Sequence, residues 1–262
     1  MQTQTIELEI RGGVARLWLN RPDLRNALDE RVIGEMTGTL RALAADDEVR
    51  VLVLGGRGSA FCAGADLNWM RRMAGFGEAE NRADALRLAT LLRTLAELPK
   101  PTIARVHGPA FAGGLGLAAA CDMVVAADTA EFCLSEVRLG LVPATISPYV
   151  LRALGPQAAR RYMLTAERFS AGEAFRIGLV QVLCPPEELD ARLDLLLAPL
   201  LVAGPRALAG TKQLIAEVVG REIDDALAAH TAEVIAAVRA SAEAREGIAA
   251  FFEKRRPSWN QS

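Results

Sequence analysis

Hydrophobic and polar positions change period several times along the first hundred residues, and each change marks an element. TIELEI (residues 5–10) alternates, Gly12-Gly13 interrupts, and VARLWLN resumes the alternation, which is the pattern of a β-hairpin. Pro22 breaks the second strand. Apolar residues then fall at Leu28, Val32, Met36, Leu40 and Leu43, a helical stripe over residues 28–45. Val51-Leu52-Val53-Leu54 is apolar without interruption, as in a strand covered on both faces. A small-residue turn, AGADLNWM from Ala63, precedes a helix on which Leu67 and Met70 share a face. Residues 71–81 (RRMAGFGEAEN) show no period and predict a mobile lid. Residues 86–98 read as an amphipathic helix ended by Pro99 and Pro101.

The centre of the chain is residues 101–142. A β-branched run (Thr102, Ile103, Val106) enters a Gly-rich turn, and small residues follow at helix-compatible spacing in 115–120. A strand comes next at 123–126, and after it a third strand stops at a lone carboxylate, Glu136. Gly113 and Gly114 lack Cβ atoms, so a ligand oxygen can approach their amides at a helix N-terminus; the competing reading is that GGLG only packs a helix on a sheet. Gly114-Leu115-Gly116 with Ala119 nearly fits a dinucleotide fingerprint. It fails because seven residues separate it from its strand and because Asp122 opens the next strand rather than closing it. Gly55–Gly58 lacks the spacing and the lysine of a phosphate loop. In EFCLSEV, alternation puts Phe132, Leu134 and Glu136 on one face. Burial there would raise the pKa of Glu136 toward that of a proton-transfer group; the alternative is a solvated Glu136, or one paired with Arg138.

Farther on, Ser170-Ala171-Gly172-Glu173 is a capping box and residues 180–183 a short strand, beyond which the pattern is helical at 187–201, 205–219, 223–238 and 243–254. This divides the chain into an α/β core, 1–185, and a helical segment, 186–262, that must bury its stripe on the core or on another copy. Composition narrows the function. With 262 residues, 51% of them hydrophobic, the chain can build a large core, and its net charge of −2 argues against a surface for nucleic acid or an anionic membrane. Cys62, Cys121, Cys133 and Cys184 lack metal spacing and read as reduced structural thiols, so no metal or cofactor is expected. No apolar run reaches membrane length and MQTQTIELEI is unlike a signal sequence, which gives an expectation of a cytoplasmic protein.

FCAGADLNWM (61–70), HGPAFAGGLGLAAACD (107–122), LGLVPA (139–144), FFEKR (251–255) and NRP (20–22) together resemble the crotonase superfamily of enoyl-CoA hydratases and isomerases. Within it, SEVRLGLVPATISPYV and GADLNWM look most like bacterial methylglutaconyl-CoA hydratases of leucine breakdown. The resemblance implies a ββα spiral core with a helical C-terminal oligomerisation segment, assembly as a trimer or dimer of trimers, and an acyl-CoA substrate. It implies an oxyanion hole at the backbone amides of Ala65 and Gly113. It puts the coenzyme A moiety along Arg25, Ala63, Asp66 and Leu67, with Lys254 arriving from a neighbouring subunit, and an acyl pocket at Met70, Arg71, Arg72, Arg82, Gly116 and Leu141. Many hydratases of the family use two glutamates; here one position holds Gly116 and the other Glu136. The expected reaction is hydration or dehydration of an enoyl-CoA, with 3-methylglutaconyl-CoA favoured. A 3-enoyl-CoA isomerase using Glu136 alone is the second reading. A non-catalytic or RNA-binding relative is the third, and the acidic balance and the absence of a Lys/Arg-rich helix, apart from Lys254-Arg255-Arg256, count against it.

Overall fold

The computed structural model describes residues 5–260, so MQTQ at the start of the N-terminal stretch lies outside it. Strands β1 (Ile6–Arg11) and β2 (Val14–Leu19) form the expected antiparallel hairpin, with Ile6 opposite Leu19 and Arg11 opposite Val14. Onto β2 are added, all in parallel, β3 (Val51–Gly56), β4 (Thr102–Val106), β6 (Met123–Ala127) and β9 (Val182–Cys184). A small second sheet joins β5 (Ala110–Phe111), β7 (Glu131–Cys133) and β8 (Phe169–Ser170), in that order.

Parallel pairing requires crossovers, and the helices that supply them bury their stripes on one face of the large sheet. α1 (Glu30–Ala45) contributes Val32, Met36 and Leu40, α3 (Glu78–Ala96) Leu91 and Leu95, and α4 (Gly113–Ala120) Leu115 and Leu117. They pack against Leu17, Leu52, Leu54 and Val106. α1 begins two residues later than its apolar stripe because Asp29 caps it, accepting from the amides of Arg31 and Val32, which leaves Leu28 free to bridge to Ala65. The opposite face, with Val14, Val51, Val53 and Ile103, is covered by α7 (Leu189–Val202) through Leu189, Leu193 and Leu197. The packed unit therefore continues past residue 185 to Val202. β3, apolar throughout, is buried along its whole length between these two layers.

The structure corrects the reading of three segments. The lid is not an irregular loop. Asp66 caps a short helix, α2 (Leu67–Met73), and after a four-residue turn the Gly77 amide donates to the Glu80 carboxylate (2.9 Å), so α3 starts at Glu78, eight residues before its predicted beginning. The strand expected to reach Glu136 ends at Cys133, and Glu136 opens a 3-10 helix, Glu136–Leu139. The helix expected from Ile223 starts at Asp225, because Asp224 accepts from the Leu227 amide and leaves Ile223 in solvent.

α5 (Ser147–Thr165) and α6 (Ala171–Arg176), the latter capped by Ser170 as expected, close the core. α8 (Pro205–Val218), α9 (Asp225–Arg239) and α10 (Ala242–Phe252) bury only Leu227 and Ala250 among them, and Ile223, Phe251 and Phe252 are exposed. Among the described residues no single helix is long and apolar enough to cross a membrane, and no group of three or more His, Cys, Asp or Glu side chains is placed to hold a metal ion. All four cysteines are buried free thiols, and burial pushes Cys62 and Cys121 up to about 12.

Candidate active site

Two small-residue turns meet at the centre of the molecule, and backbone pairing fixes how they meet. Leu28 bridges in parallel to Ala65, donating to the Gly64 carbonyl (2.7 Å) and accepting from the Asp66 amide (2.8 Å). In a parallel bridge the central residue's own N–H points to the other side, so the Ala65 amide is left without a partner among the described residues. Cys62 bridges to Ala110 in the same manner, accepting from Phe111 (2.9 Å), and this lays the first turn along β5. Gly64 has φ +100°, and a Cβ on it would lie 3.2 Å from the Phe111 carbonyl oxygen. Gly114 faces Cys62 so closely that a Cβ would overlap the Cys62 carbonyl oxygen and lie 2.8 Å from its Cβ. Only glycine allows both approaches.

Gly113 is the first residue of α4, where an N–H has no intrahelical acceptor and gains from the helix dipole. What turns that amide outward is Ala112. Its φ of 47° and ψ of −114° lie outside the allowed regions for a residue with a Cβ, and it is held there by its amide donating to Cys133 (2.8 Å) and its carbonyl accepting from Gly116 (3.0 Å). Ala65 and Gly113 thus offer two unpartnered backbone donors on two abutting turns.

Glu136 lies three residues beyond Cys133, whose carbonyl holds Ala112. It forms no ion pair with Arg138; its Oε2 is buried without a partner, and burial, offset in part by its own backbone amide, raises its pKa above the usual carboxylate range. Sequence alternation placed it on the face of a strand, whereas the 3-10 turn carries it, but the half-buried, unpaired carboxylate is the one anticipated. Gly116, one turn along α4 from Gly113, has its vacant side covered by Ile146.

The other expected residues divide into those near this gap and those committed elsewhere. The Arg25 carbonyl accepts from the Ala63 amide (2.9 Å), so these two adjoin, with the Arg25 side chain exposed. Leu67 and Leu141 are exposed and Met70 is half-buried. The Asp66 carboxylate caps α2 through the Asn68 and Trp69 amides and pairs with Arg21 (3.0 Å). Burial alone would push Asp66 up, but those amides and the guanidinium outweigh it and hold the carboxyl below its ordinary range. Arg72 is tied to Glu30 (2.6 Å) and Arg71 to Asn68 (3.2 Å), whereas Arg82 stands exposed on α3 without an ion pair among the described residues. Lys254 follows α10, which packs on α8 and α9.

Three residues escaped the sequence reading. Arg21 pins Asp29 and Asp66 together; buried Asn26 donates to the carbonyls of Arg57 and Ala60 (2.8 Å each), tying its own loop to the one before Ala63; and Ile146 plugs Gly116. Only NRP hinted at the first. A cavity of about 440 Å³ lies on the opposite face of the sheet around Trp18 and His107, but its Arg16, Arg57 and Arg105 are each already paired with carboxylates.

The family model for enoyl-CoA hydratase/isomerase matches residues 9–262. The chain belongs to this family. A solved enoyl-CoA hydratase from Shewanella pealeana superposes with a TM-score of 0.96 at 45% identity, covering 98% of this chain and 97% of that one. The crotonyl-CoA hydratase of Syntrophomonas wolfei is 33% identical across 99% of both chains. The short-chain-enoyl-CoA hydratase of Clostridium acetobutylicum is 33% identical over 98% of this chain and 97% of its own. As a crotonase-superfamily member the chain has the expected α/β fold and helical C-terminal segment.

Proposed function

We propose that the protein reversibly adds water to a 2-enoyl-CoA thioester, with 3-methylglutaconyl-CoA or a related branched glutaconyl-CoA as its preferred substrate. The observation that carries the reading is the pair of backbone amides at Ala65 and Gly113, unpartnered among the described residues, together with an unpaired, half-buried Glu136 three residues beyond the Cys133 whose carbonyl holds Ala112. Attack of water on C3 of a conjugated thioester moves charge onto the thioester oxygen. Two preorganised N–H donors stabilise that enolate, each worth about 3 kcal/mol. Glu136 takes the proton from the attacking water and returns it to C2, so one carboxylate balances the reaction: OH is added at C3 and H at C2. The exposed Leu139, Leu141 and Val142 are apolar surface available to an acyl chain. Coenzyme A would follow Arg25, Ala63 and Leu67. The exposed apolar residues of α8 to α10 support self-association as a trimer or dimer of trimers, which would bring Lys254 to a neighbour's coenzyme A, and the mass in solution from light scattering tests that.

The filled notch at Gly116 favours a second reading, a 3-enoyl-CoA isomerase in which Glu136 removes a proton from C2 and delivers it to C4. Turnover of crotonyl-CoA, 3-methylglutaconyl-CoA and a 3-enoyl-CoA, measured side by side, separates the two. Preference for 3-methylglutaconyl-CoA supports the proposal. Turnover of the 3-enoyl thioester alone supports the isomerase, and crotonyl-CoA as the best substrate removes the branched glutaconyl assignment.

A further inference from the structure

The segment that carries Glu136 is lightly held, with its 3-10 turn packed on α5. From Ser135 to Thr145 no residue is buried. Its hydrogen bonds among the described residues are local: Arg138 to Ser135, Gly140 to Val137, Leu141 to Glu136, Ala144 to Val142, and Ser147 back to Ala144. Arg138, near its middle, makes no ion pair among the described residues. A stretch of this kind is positioned by its ends. One end is Leu134, the fully buried residue that follows β7; the other is Ile146, 2% exposed, the residue before α5.

Ile146 enters α4 at Gly116. A Cβ on Gly116 would overlap Ile146 Cγ2 and lie 2.8 Å from Ile146 Cβ, so the missing side chain is the socket and the isoleucine is the plug. The socket is one turn from Gly113, whose amide is one of the two free donors. The same interlock that ends the loop thus ties the carboxylate's segment to the helix bearing the oxyanion donor, and it leaves no room at position 116 for a second side chain. We infer that Ile146 is a positioning residue for Glu136, acting through its socket at Gly116; the inference rests on the reading of Glu136 as the proton carrier.

The test is a kinetic series on the full-length enzyme with its best enoyl-CoA: I146V, I146A, G116A, G116A/I146A and E136Q, each checked for folding by circular dichroism and thermal melting. I146V, which keeps the β-branch, should stay within about threefold of wild-type kcat. I146A should lose 10-fold or more in kcat with KM changed less than about twofold, since the plug acts on geometry rather than on binding. Its pH–kcat/KM profile should move to lower pH as the freed segment lets water reach Glu136. G116A, which fills the socket, should lose as much, and the double variant should lose no more than I146A alone because the collision is gone. Unchanged kcat and pH profile in folded I146A would overturn the inference, as would losses in G116A and I146A that multiply in the double variant. Should I146A not fold, G116A/I146V against its single variants makes the same comparison. Near-normal turnover in E136Q would instead remove the reading of Glu136 itself, whatever the other variants do.

Discussion

Ala112→Gly is expected to make the protein more stable and less active. A residue with a Cβ at φ 47°, ψ −114° costs about 1–3 kcal/mol, and glycine removes that cost. Against it stand the larger unfolded-state entropy of glycine, about 0.4–1 kcal/mol, and the loss of one half-buried methyl, roughly half of the 0.8 kcal/mol of a fully buried one. The balance is a gain of about 1 kcal/mol, which for a chain of this size raises Tm by roughly 2–4 °C. The same change frees the peptide that aims the Gly113 amide. A deleted oxyanion donor costs on the order of 100-fold or more, so a merely loosened one should cost roughly 10-fold in kcat. Differential scanning calorimetry and the disappearance of enoyl-thioester absorbance measure both. A Tm lowered by several degrees would show that the Ala112 backbone is not strained, and a raised Tm with unchanged kcat would separate the strain from catalysis.

Glu136→Gln keeps the side chain's shape and should lower turnover at least about 100-fold. Because burial raises the Glu136 pKa above its ordinary 4.5, the folded chain holds this proton longer than the unfolded one. Wild-type stability is therefore lost as pH rises through that window, and E136Q should match wild type in Tm near pH 4 and exceed it at pH 7 and above. Arg21→Met strips Asp66 and Asp29 of their guanidinium and should lower Tm by roughly 5–10 °C at neutral pH, on the order of 2–3 kcal/mol for breaking a largely buried pair. The Asp66 carboxyl is held below its ordinary 3.8, so this contribution is present above that pH and fades as pH falls through the folded value; a gap between wild type and R21M that widens on acidification would refute it. Arg82→Met, removing the one of Arg71, Arg72 and Arg82 without a fixed partner among the described residues, should reduce turnover of 3-methylglutaconyl-CoA about 10-fold and spare crotonyl-CoA; equal losses on both would assign Arg82 to coenzyme A.

Elements that bury a regular stripe were legible in the sequence: the β1–β2 hairpin, α1, the fully covered β3 and α7 all stand within two residues of where periodicity puts them. The half-buried, unpaired carboxylate of Glu136 was anticipated through a wrong local geometry, since Phe132, Leu134 and Glu136 alternate whether or not the strand survives past Cys133. Residues 71–81 looked irregular because helices α2 and α3 are short of apolar positions there and owe their starts to side-chain caps. Ile146 and Asn26 left no pattern at all, because each is defined by a contact with residues about thirty positions away, a glycine socket in one case and two loop carbonyls in the other. Periodicity reports what one element presents to a layer, not which single side chain fits which gap.

The four buried thiols make the molecule its own reporter of opening. A thiol whose pKa is held near 12 is almost wholly unreactive at neutral pH, so alkylation of Cys62 requires the structure around it to come apart first. Cys62 lies directly under Gly114, with its carbonyl bonded to Phe111, and Cys184 sits on the far edge strand of the large sheet. The labelling rate at Cys62 therefore times the separation of the two turns that hold the free amides, and the rate at Cys184 times fraying at the other side of the fold. A bound thioester that bridges the turns should slow the first clock and leave the second running.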